Sequence, residues 1–274
     1  MSDPFPDAHS SLNLYVFGAC QVDPCMSIPS PQPPLAAAIE AHLLGTVPFD
    51  EVLALQQRLV YEAGGHNAPA ISLLLCEHPA VITIGRLGSR AHLRAPTAEL
   101  DSRQIELRWV NRGGGTMLHS PGQLAVYPVV HLGAQGWTVG EFLGRFRGGL
   151  EAVLADVGLE KHLERDELAL SGRTGQLVNF GLAVKNWVTY FGAYINVHPA
   201  RHLARLVQSD PEDRISASSL MIERQSPVKM TSVRAAVIAR LAESFGTPRY
   251  HVYSGHPLLS RTPHRHHESA RRAV

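Results

Sequence analysis

The chain has 274 residues, of which 45% are hydrophobic and 18% charged, and its formal net charge at pH 7 is +1. This composition is typical of a globular protein with a hydrophobic core, and the length fits one large domain or two small ones. The near-zero charge argues against a general affinity for nucleic acid, and no apolar run approaches the length of a membrane-spanning helix.

The elements begin after residues 1–37, which lack apolar periodicity and include a proline-rich run at 29–34. We predict that this segment is a flexible extension. Apolar alternation or short apolar runs predict strands at 39–44, 70–76, 80–84, 106–110, 123–131, 176–184 and 187–197. Helical spacing of apolar residues predicts helices at 51–60 with Asp50 as cap, at 139–159, and at 230–245 with Thr231 or Ser232 at its start.

Strand clusters interleaved with a few helices predict an α+β domain, with mixed or antiparallel sheets packed against helices. We place this domain at residues 38–254. Residues 255–274 are basic, rich in histidine and without apolar pattern, and they are predicted to be a disordered tail. The acidic, proline-rich start at 1–7 lacks the positive region of a secretory signal, so we expect a cytoplasmic location.

Cysteine and histidine usage argues against a disulfide framework and against a metal site. Cys20, Cys25 and Cys76 are an odd, widely spread set. Of the fifteen histidines, four lie in the predicted tail, where a structural metal site is not expected. We therefore expect the protein to work without a metal or other cofactor.

The segment Arg112–Gln123 is the most informative motif of the chain. It places an arginine, three consecutive glycines and His119 directly after the predicted strand at 106–110. Glycines let a backbone approach a ligand closely, and successive N–H groups in such a loop can face an anionic or carbonyl oxygen. The alternative is a glycine-rich turn braced by Arg112, and the motif alone does not decide between the two.

Several motifs in order resemble the lipoyl/octanoyl protein transferase family, the octanoyltransferases and lipoate-protein ligases related to biotin protein ligases. The resemblance covers roughly residues 38–250. It is carried by Glu77–Gly85, by Arg112–Gln123 with its Pro-Gly-Gln ending, and by the paired segments Gly181–Thr189 and Gly192–Asn196. The ending favours the octanoyltransferase branch, whereas Gly113–Thr116 resembles the ligase branch.

The resemblance implies a biotin/lipoate protein ligase-like catalytic domain that moves an octanoyl group from an acyl carrier protein to a lysine of a lipoate-dependent domain. The implied acceptors are lipoyl domains of 2-oxoacid dehydrogenases or the glycine cleavage H protein, with no nucleic acid or membrane involved. The implied substrate-binding residues are Arg112, Gly113, Gly114, Gly115, Thr116, Met117, Leu118, His119, Asn179, Phe180, Gly181, Gly192, Ala193 and Tyr194.

The chain departs from the family at both groups that form and activate its thioester. The family's lysine position holds Gln176, and an ungapped count places Asp210 at the family's cysteine. A cation beside a thiol lowers the pKa of that thiol, so both halves of the usual chemistry are missing. Ser209, with His119 as base, or Cys76 are the alternative nucleophiles that we consider.

Three hypotheses follow. The first is an octanoyl or lipoyl transferase working without the usual cysteine and lysine. The second is a non-catalytic pseudoenzyme that still binds an acyl chain or a carrier domain. The third is an ATP-dependent lipoate ligase, against which Gln176 counts, because the ligase branch uses the strand lysine to hold its substrate.

Overall fold

The computed structural model describes residues 38–65, 71–159, 164–165, 168–208 and 216–259. The described residues form eleven strands: β1 (Ile39–Thr46), β2 (Ile71–Glu77), β3 (Val81–Ile84), β4 (Glu106–Trp109), β5 (Thr116–His119), β6 (Gln123–Val129), β7 (Glu164–Arg165), β8 (Ala169–Gly172), β9 (Gly175–Lys185), β10 (Val188–Asn196) and β11 (Tyr250–Ser254). The α-helices of the same residues are α1 (Phe49–Ala63), α2 (Thr97–Ser102), α3 (Leu132–Gln135), α4 (Val139–Asp156), α5 (Arg201–Ala204), α6 (Leu220–Arg224) and α7 (Met230–Ser244).

The strands form two mixed sheets. The larger has eight strands in the order β11-β1-β2-β6-β10-β9-β8-β7, and the smaller has the order β4-β3-β5. In the large sheet β1 runs parallel to β2 and β11, while the remaining pairs are antiparallel. The prediction of an α+β fold with mixed sheets and packed helices is confirmed.

The large sheet is covered on both faces, which explains why its central strands are mostly apolar. On β2, Leu73 and Leu75 face a core built with α4 and α7. Leu74 and Cys76 face the opposite core, shared with α1. A strand buried on both faces shows a continuous apolar run rather than alternation.

The start of helix α1 differs from the prediction. Helix α1 begins at Phe49 after Pro48, and no side chain caps it. Asp50 lies inside its first turn and instead forms an ion pair with Arg108, with an N–O distance of 3.0 Å. Helix α7 begins at Met230, as predicted, and Thr231 and Ser232 lie in its first turn, although no side chain caps it.

The prediction missed β5, β7 and β8, and it also missed the edge strand β11. All five of its residues are exposed, so they show no apolar alternation, and the strand is held by backbone pairing with β1. The described residues extend into the predicted tail, where Gly255 donates its N–H to the Leu43 carbonyl at 2.8 Å. Among the described residues, no helix is both long and apolar enough to cross a membrane.

Gly192 on β10 offers a sharp test of the sheet packing. A Cβ there would lie 2.1 Å from the Val126 carbonyl oxygen and 2.8 Å from Pro128 Cδ. We expect Gly192→Ala to lower the free energy of unfolding by about 3 kcal/mol, because β6 and β10 must separate to admit the methyl group.

Urea unfolding measures this effect, with Gly144→Ala as the matched control. Gly144 lies on the exposed side of α4, and nothing is within 4 Å of its added Cβ. That control should raise the free energy of unfolding by roughly 0.5–1 kcal/mol, because alanine is the better helix former. Equal stability of wild type and Gly192→Ala would contradict the close approach.

Candidate functional site

The glycine loop between β4 and β5 is packed against neighbouring backbone. Gly113 donates its N–H to the Leu182 carbonyl at 2.9 Å, and Leu87 donates to the Gly114 carbonyl at 3.1 Å. Gly114 has a φ of 77°, which favours glycine. A Cβ on Gly85 would lie 2.5 Å from the Gly114 carbonyl oxygen. The glycines therefore allow the loop, the segment that follows β3 and strand β9 to approach one another closely.

Arg112 lies beneath this loop and is fully buried. Its Nε and Nη2 donate to Thr83 Oγ1 at 3.1 and 2.7 Å, Nη2 also donates to the Thr83 carbonyl at 3.0 Å, and Nη1 donates to the Gly113 carbonyl at 2.8 Å. Burial lowers the pKa of the guanidinium, but arginine keeps its proton in proteins. In this arrangement Arg112 braces the loop from inside.

His119 is buried next to this arginine as a neutral ring. Burial, Arg112 and His78 hold its pKa well below the usual value. Its Nδ1 is 2.8 Å from Gln123 Oε1, an acceptor, so Nδ1 carries the proton. Its Nε2 then accepts the hydroxyl proton of Thr83 at 2.8 Å. Both ring nitrogens are engaged, so His119 orients its neighbours and has no free lone pair with which to act as a base.

The hydrogen bonds continue from His119 to the ends of the central strands. Gln123 Nε2 donates to Asn196 Oδ1 at 2.9 Å, and Asn196 Nδ2 donates to the Gln176 carbonyl at 3.3 Å. The backbone of Gln176 also accepts from Ser218 N–H at 2.9 Å. A continuous series of hydrogen bonds, all donated in the same direction, therefore links the buried arginine to Gln176, the position where the family carries its lysine.

A second buried polar group surrounds Cys76. His78 Nδ1 donates to the Val47 carbonyl at 2.8 Å, and its Nε2 accepts from the Tyr127 hydroxyl at 2.8 Å. Burial lowers the pKa of His78 to about 4. Cys76 is fully buried and burial raises the pKa of its thiol, so the thiol stays protonated. Cys76 is a core residue here and is not presented as a nucleophile.

A cavity of about 560 Å³ opens at the ends of β5, β6 and β10. Of the residues that the sequence nominates for substrate binding, Met117, Leu118 and Asn179 line it. The others lie in the packed loop, in the core or in the strand crossings: Arg112, Gly113, Gly114, Gly115, Thr116, His119, Phe180, Gly181, Gly192, Ala193 and Tyr194.

Sequence reasoning missed most of the cavity wall. One side is polar and is formed by Ser120, Gln123, Thr174, Asn196, Ser216, Ser218 and Ser219. The other side carries α5 and the arginines Arg94, Arg201 and Arg205. No carboxylate of the described residues lines the cavity. Neither side of the cavity shows a regular spacing of apolar residues that sequence analysis could detect. The usable sequence signal was the pair Ser218-Ser219, because Ser219 is the cap of α6.

Of the two positions at which the chain departs from the family, the structure describes Gln176 but not Asp210. Gln176 lies buried at the start of β9 and does not line the cavity. Asp210 and the alternative nucleophile Ser209 lie outside the described residues, as do three of the four tail histidines. The fourth, His256, stacks obliquely on His42 at 4.5 Å between ring centroids. The described part of the chain contains no group of three metal-ligating side chains.

Comparison with known proteins identifies the relatives that this chain resembles. Residues 48–242 match the family model of the lipoyl protein ligase A/B catalytic domain. An octanoyltransferase from Syntrophotalea carbinolica is 33% identical over 202 residues, which are 73% of this chain and 91% of that protein. One from Geotalea uraniireducens is 34% identical over 72% of this chain and 88% of that protein.

The fold is shared with a solved structure, a bipartite lipoate protein ligase from Thermoplasma acidophilum. The TM-score is 0.62 at 14% identity, over 80% of this chain and 86% of that chain. The likeness confirms the ligase-like α+β fold.

Proposed function

This chain belongs to the lipoyl and octanoyl protein transferase family, and on that basis we propose that it transfers an octanoyl group from an acyl carrier protein to a lysine of a lipoyl domain. The observation that carries the proposal is the cavity between the glycine-loop strand β5 and helix α5. Its volume of about 560 Å³ suits an eight-carbon acyl chain, and Met117 and Leu118 supply apolar contact.

The charge around the cavity supports an anionic donor. Arg94, Arg201 and Arg205 line it, and all three are exposed. A cationic rim, with no carboxylate among the described residues that line it, raises the local concentration of negatively charged ligands and their carriers. Under this proposal the lipoyl domain of a 2-oxoacid dehydrogenase or the glycine cleavage H protein is the acceptor, and the acyl carrier protein is the donor.

A second function is favoured by Gln176. Glutamine at the family's lysine position cannot supply the cation that activates a thiol, and it is buried here. A protein that binds an octanoyl group or carrier without transferring it would keep the cavity and lose this lysine. The same substitution weighs against an ATP-dependent lipoate ligase.

Intact-mass analysis of a lipoyl domain, incubated with octanoyl-acyl carrier protein and the full chain, tests the proposal. We expect one octanoyl group to appear on the acceptor. Ala204→Phe should slow this transfer about tenfold, because displacing about two methylenes from the cavity at roughly 0.8 kcal/mol each weakens binding by that factor. Ala204 lines the cavity on α5.

His202→Phe is the matched control, since His202 is exposed on the same helix and does not line the cavity. It should transfer octanoate as the wild type does. Octanoyl binding without transfer would establish the non-catalytic function instead. Adenylate formation from octanoate and ATP would establish the ligase.

A further inference from the structure

The hydroxyl groups on the polar wall of the cavity are not equivalent. Ser219 accepts the Ile222 N–H at 3.3 Å and is the cap of α6. Ser120 donates to the Pro121 carbonyl at 3.5 Å. Ser218 Oγ instead lies 2.6 Å from Thr174 Oγ1, which donates to Glu223 Oε2 at 2.5 Å. Among the described residues of the wall, Ser218 and Thr174 are the hydroxyls connected to a carboxylate.

The direction of these hydrogen bonds follows from the carboxylate. Glu223 also accepts the N–H groups of Arg173 and Thr174 at 2.9 and 2.8 Å. Although burial opposes ionisation, the donors from Thr174 and Arg173 lower the pKa of Glu223, so it is ionised at neutral pH. An ionised carboxylate only accepts, so the Thr174 hydroxyl donates to it and in turn accepts the proton of Ser218.

The relay is built into the fold. Gly172 leaves room for Glu223, since a Cβ there would lie 2.6 Å from its carboxyl carbon. The Ser218 N–H is bonded to the Gln176 carbonyl at 2.9 Å. Ser218 therefore lies beside the position where the family carries its activating lysine. Its hydroxyl proton is directed at Thr174, and the residue lines the cavity.

We propose that Ser218 is the nucleophile that receives the octanoyl group, with Thr174 and Glu223 as the residues that position it and carry its proton. This inference rests on the proposed octanoyl transfer and replaces the missing thioester by an oxygen ester. A serine becomes nucleophilic when an adjacent group takes its proton during attack.

The reaction balances in two steps. Ser218 Oγ attacks the carbonyl carbon of the donor thioester, its proton passes to Thr174 as the threonine proton passes to Glu223, and the proton then returns to the departing thiolate. The products are an octanoyl ester of Ser218 and the free thiol of the donor. The amine of the acceptor lysine next attacks the ester, forms the amide, and returns a proton to Ser218.

The test uses the full chain with octanoyl-coenzyme A as acyl donor and no acceptor, followed by intact-mass analysis and peptide mapping. We expect one octanoyl group on the peptide that contains Ser218, stable to neutral hydroxylamine and cleaved in alkaline hydroxylamine, as oxygen esters are. Ser218→Ala should lose it. Ser218→Cys should regain it as a thioester that neutral hydroxylamine removes.

Glu223→Gln tests the positioning role, because it keeps the shape and removes the charge. We expect acylation to slow about a hundredfold, the scale of general base catalysis, with a changed pH profile but unchanged octanoyl binding. Ser232→Ala, at an exposed position on α7, should behave as the wild type. If Glu223→Gln does not fold, the change of ester type in Ser218→Cys still tests the inference.

Two results would overturn the assignment of Ser218 as the nucleophile. If Ser218→Ala still octanoylates the lipoyl domain at the wild-type rate, the proposed transfer stands and the nucleophile lies elsewhere. If the wild type neither becomes acylated nor transfers octanoate yet binds it, both the transfer function and the serine ester fall.

Discussion

Arg112→Lys should lower the free energy of unfolding by about 3 kcal/mol. Lysine keeps the charge but cannot reproduce the four hydrogen bonds that the guanidinium makes to Thr83 and Gly113. Hydrogen bonds to charged groups contribute roughly 1.5–3 kcal/mol each, and a buried carbonyl left without a donor adds a further cost. Urea unfolding of both proteins measures the difference.

Arg112→Lys should also affect ligand binding, because a chain of hydrogen bonds links Arg112 to the cavity. Thr83 accepts from Arg112 and donates to His119, which holds Gln123 at the cavity. Loss of the Arg112 guanidinium should therefore weaken octanoyl binding as well as lower the free energy of unfolding. Arg86→Lys is the control, because Arg86 is exposed beside the same loop. If both variants unfold at the same urea concentration as the wild type, the loop does not depend on the buried guanidinium.

Lowering the pH from 7 to 4.5 should destabilise the fold through the two buried histidines. Burial lowers the pKa of His78 from 6.5 to about 4 and that of His119 well below its usual value. Above pH 6.5 both are neutral in either state, and their contribution is fully present. As the pH falls from 6.5 towards 4, the unfolded chain binds protons that the folded chain does not, so stability is lost.

The size of this effect follows from the same values. A difference of about 2.5 in pKa for His78, at about 1.36 kcal/mol for each pH unit, corresponds to roughly 3 kcal/mol at pH 4 and below. His78→Gln can donate to the Val47 carbonyl and accept from Tyr127 without titrating, so its stability should fall less steeply between pH 6.5 and 4.5. His251→Gln, at an exposed position on β11, should keep the wild-type slope, and equal slopes in all three proteins would refute the assignment.

Sequence pattern alone located the longer strands and helices with buried faces, but it missed β5 and β8, which are buried and only four residues long. Helical spacing marked α4 and α7, and apolar runs marked β2, β6, β9 and β10, because burial against a core selects residue type at a fixed period. Strand β11 has no buried face and is held by backbone hydrogen bonds, which leave no mark on side-chain choice. The start of α1 was misplaced because Pro48, rather than Asp50, precedes its first turn.

The ordered motifs also determined the family, since several of them recur in sequence along most of the chain. They did not determine which side chains face the cavity. Arg112 and His119 belong to the most informative motif, yet tertiary packing turns both inward to Thr83. Thr174 is 44 residues from Ser218 and 49 from Glu223 along the chain, and it meets them because the turn after β8 packs against α6. Local pattern encodes burial and turn chemistry, whereas contacts between distant segments arise when the sheets and helices close around one another.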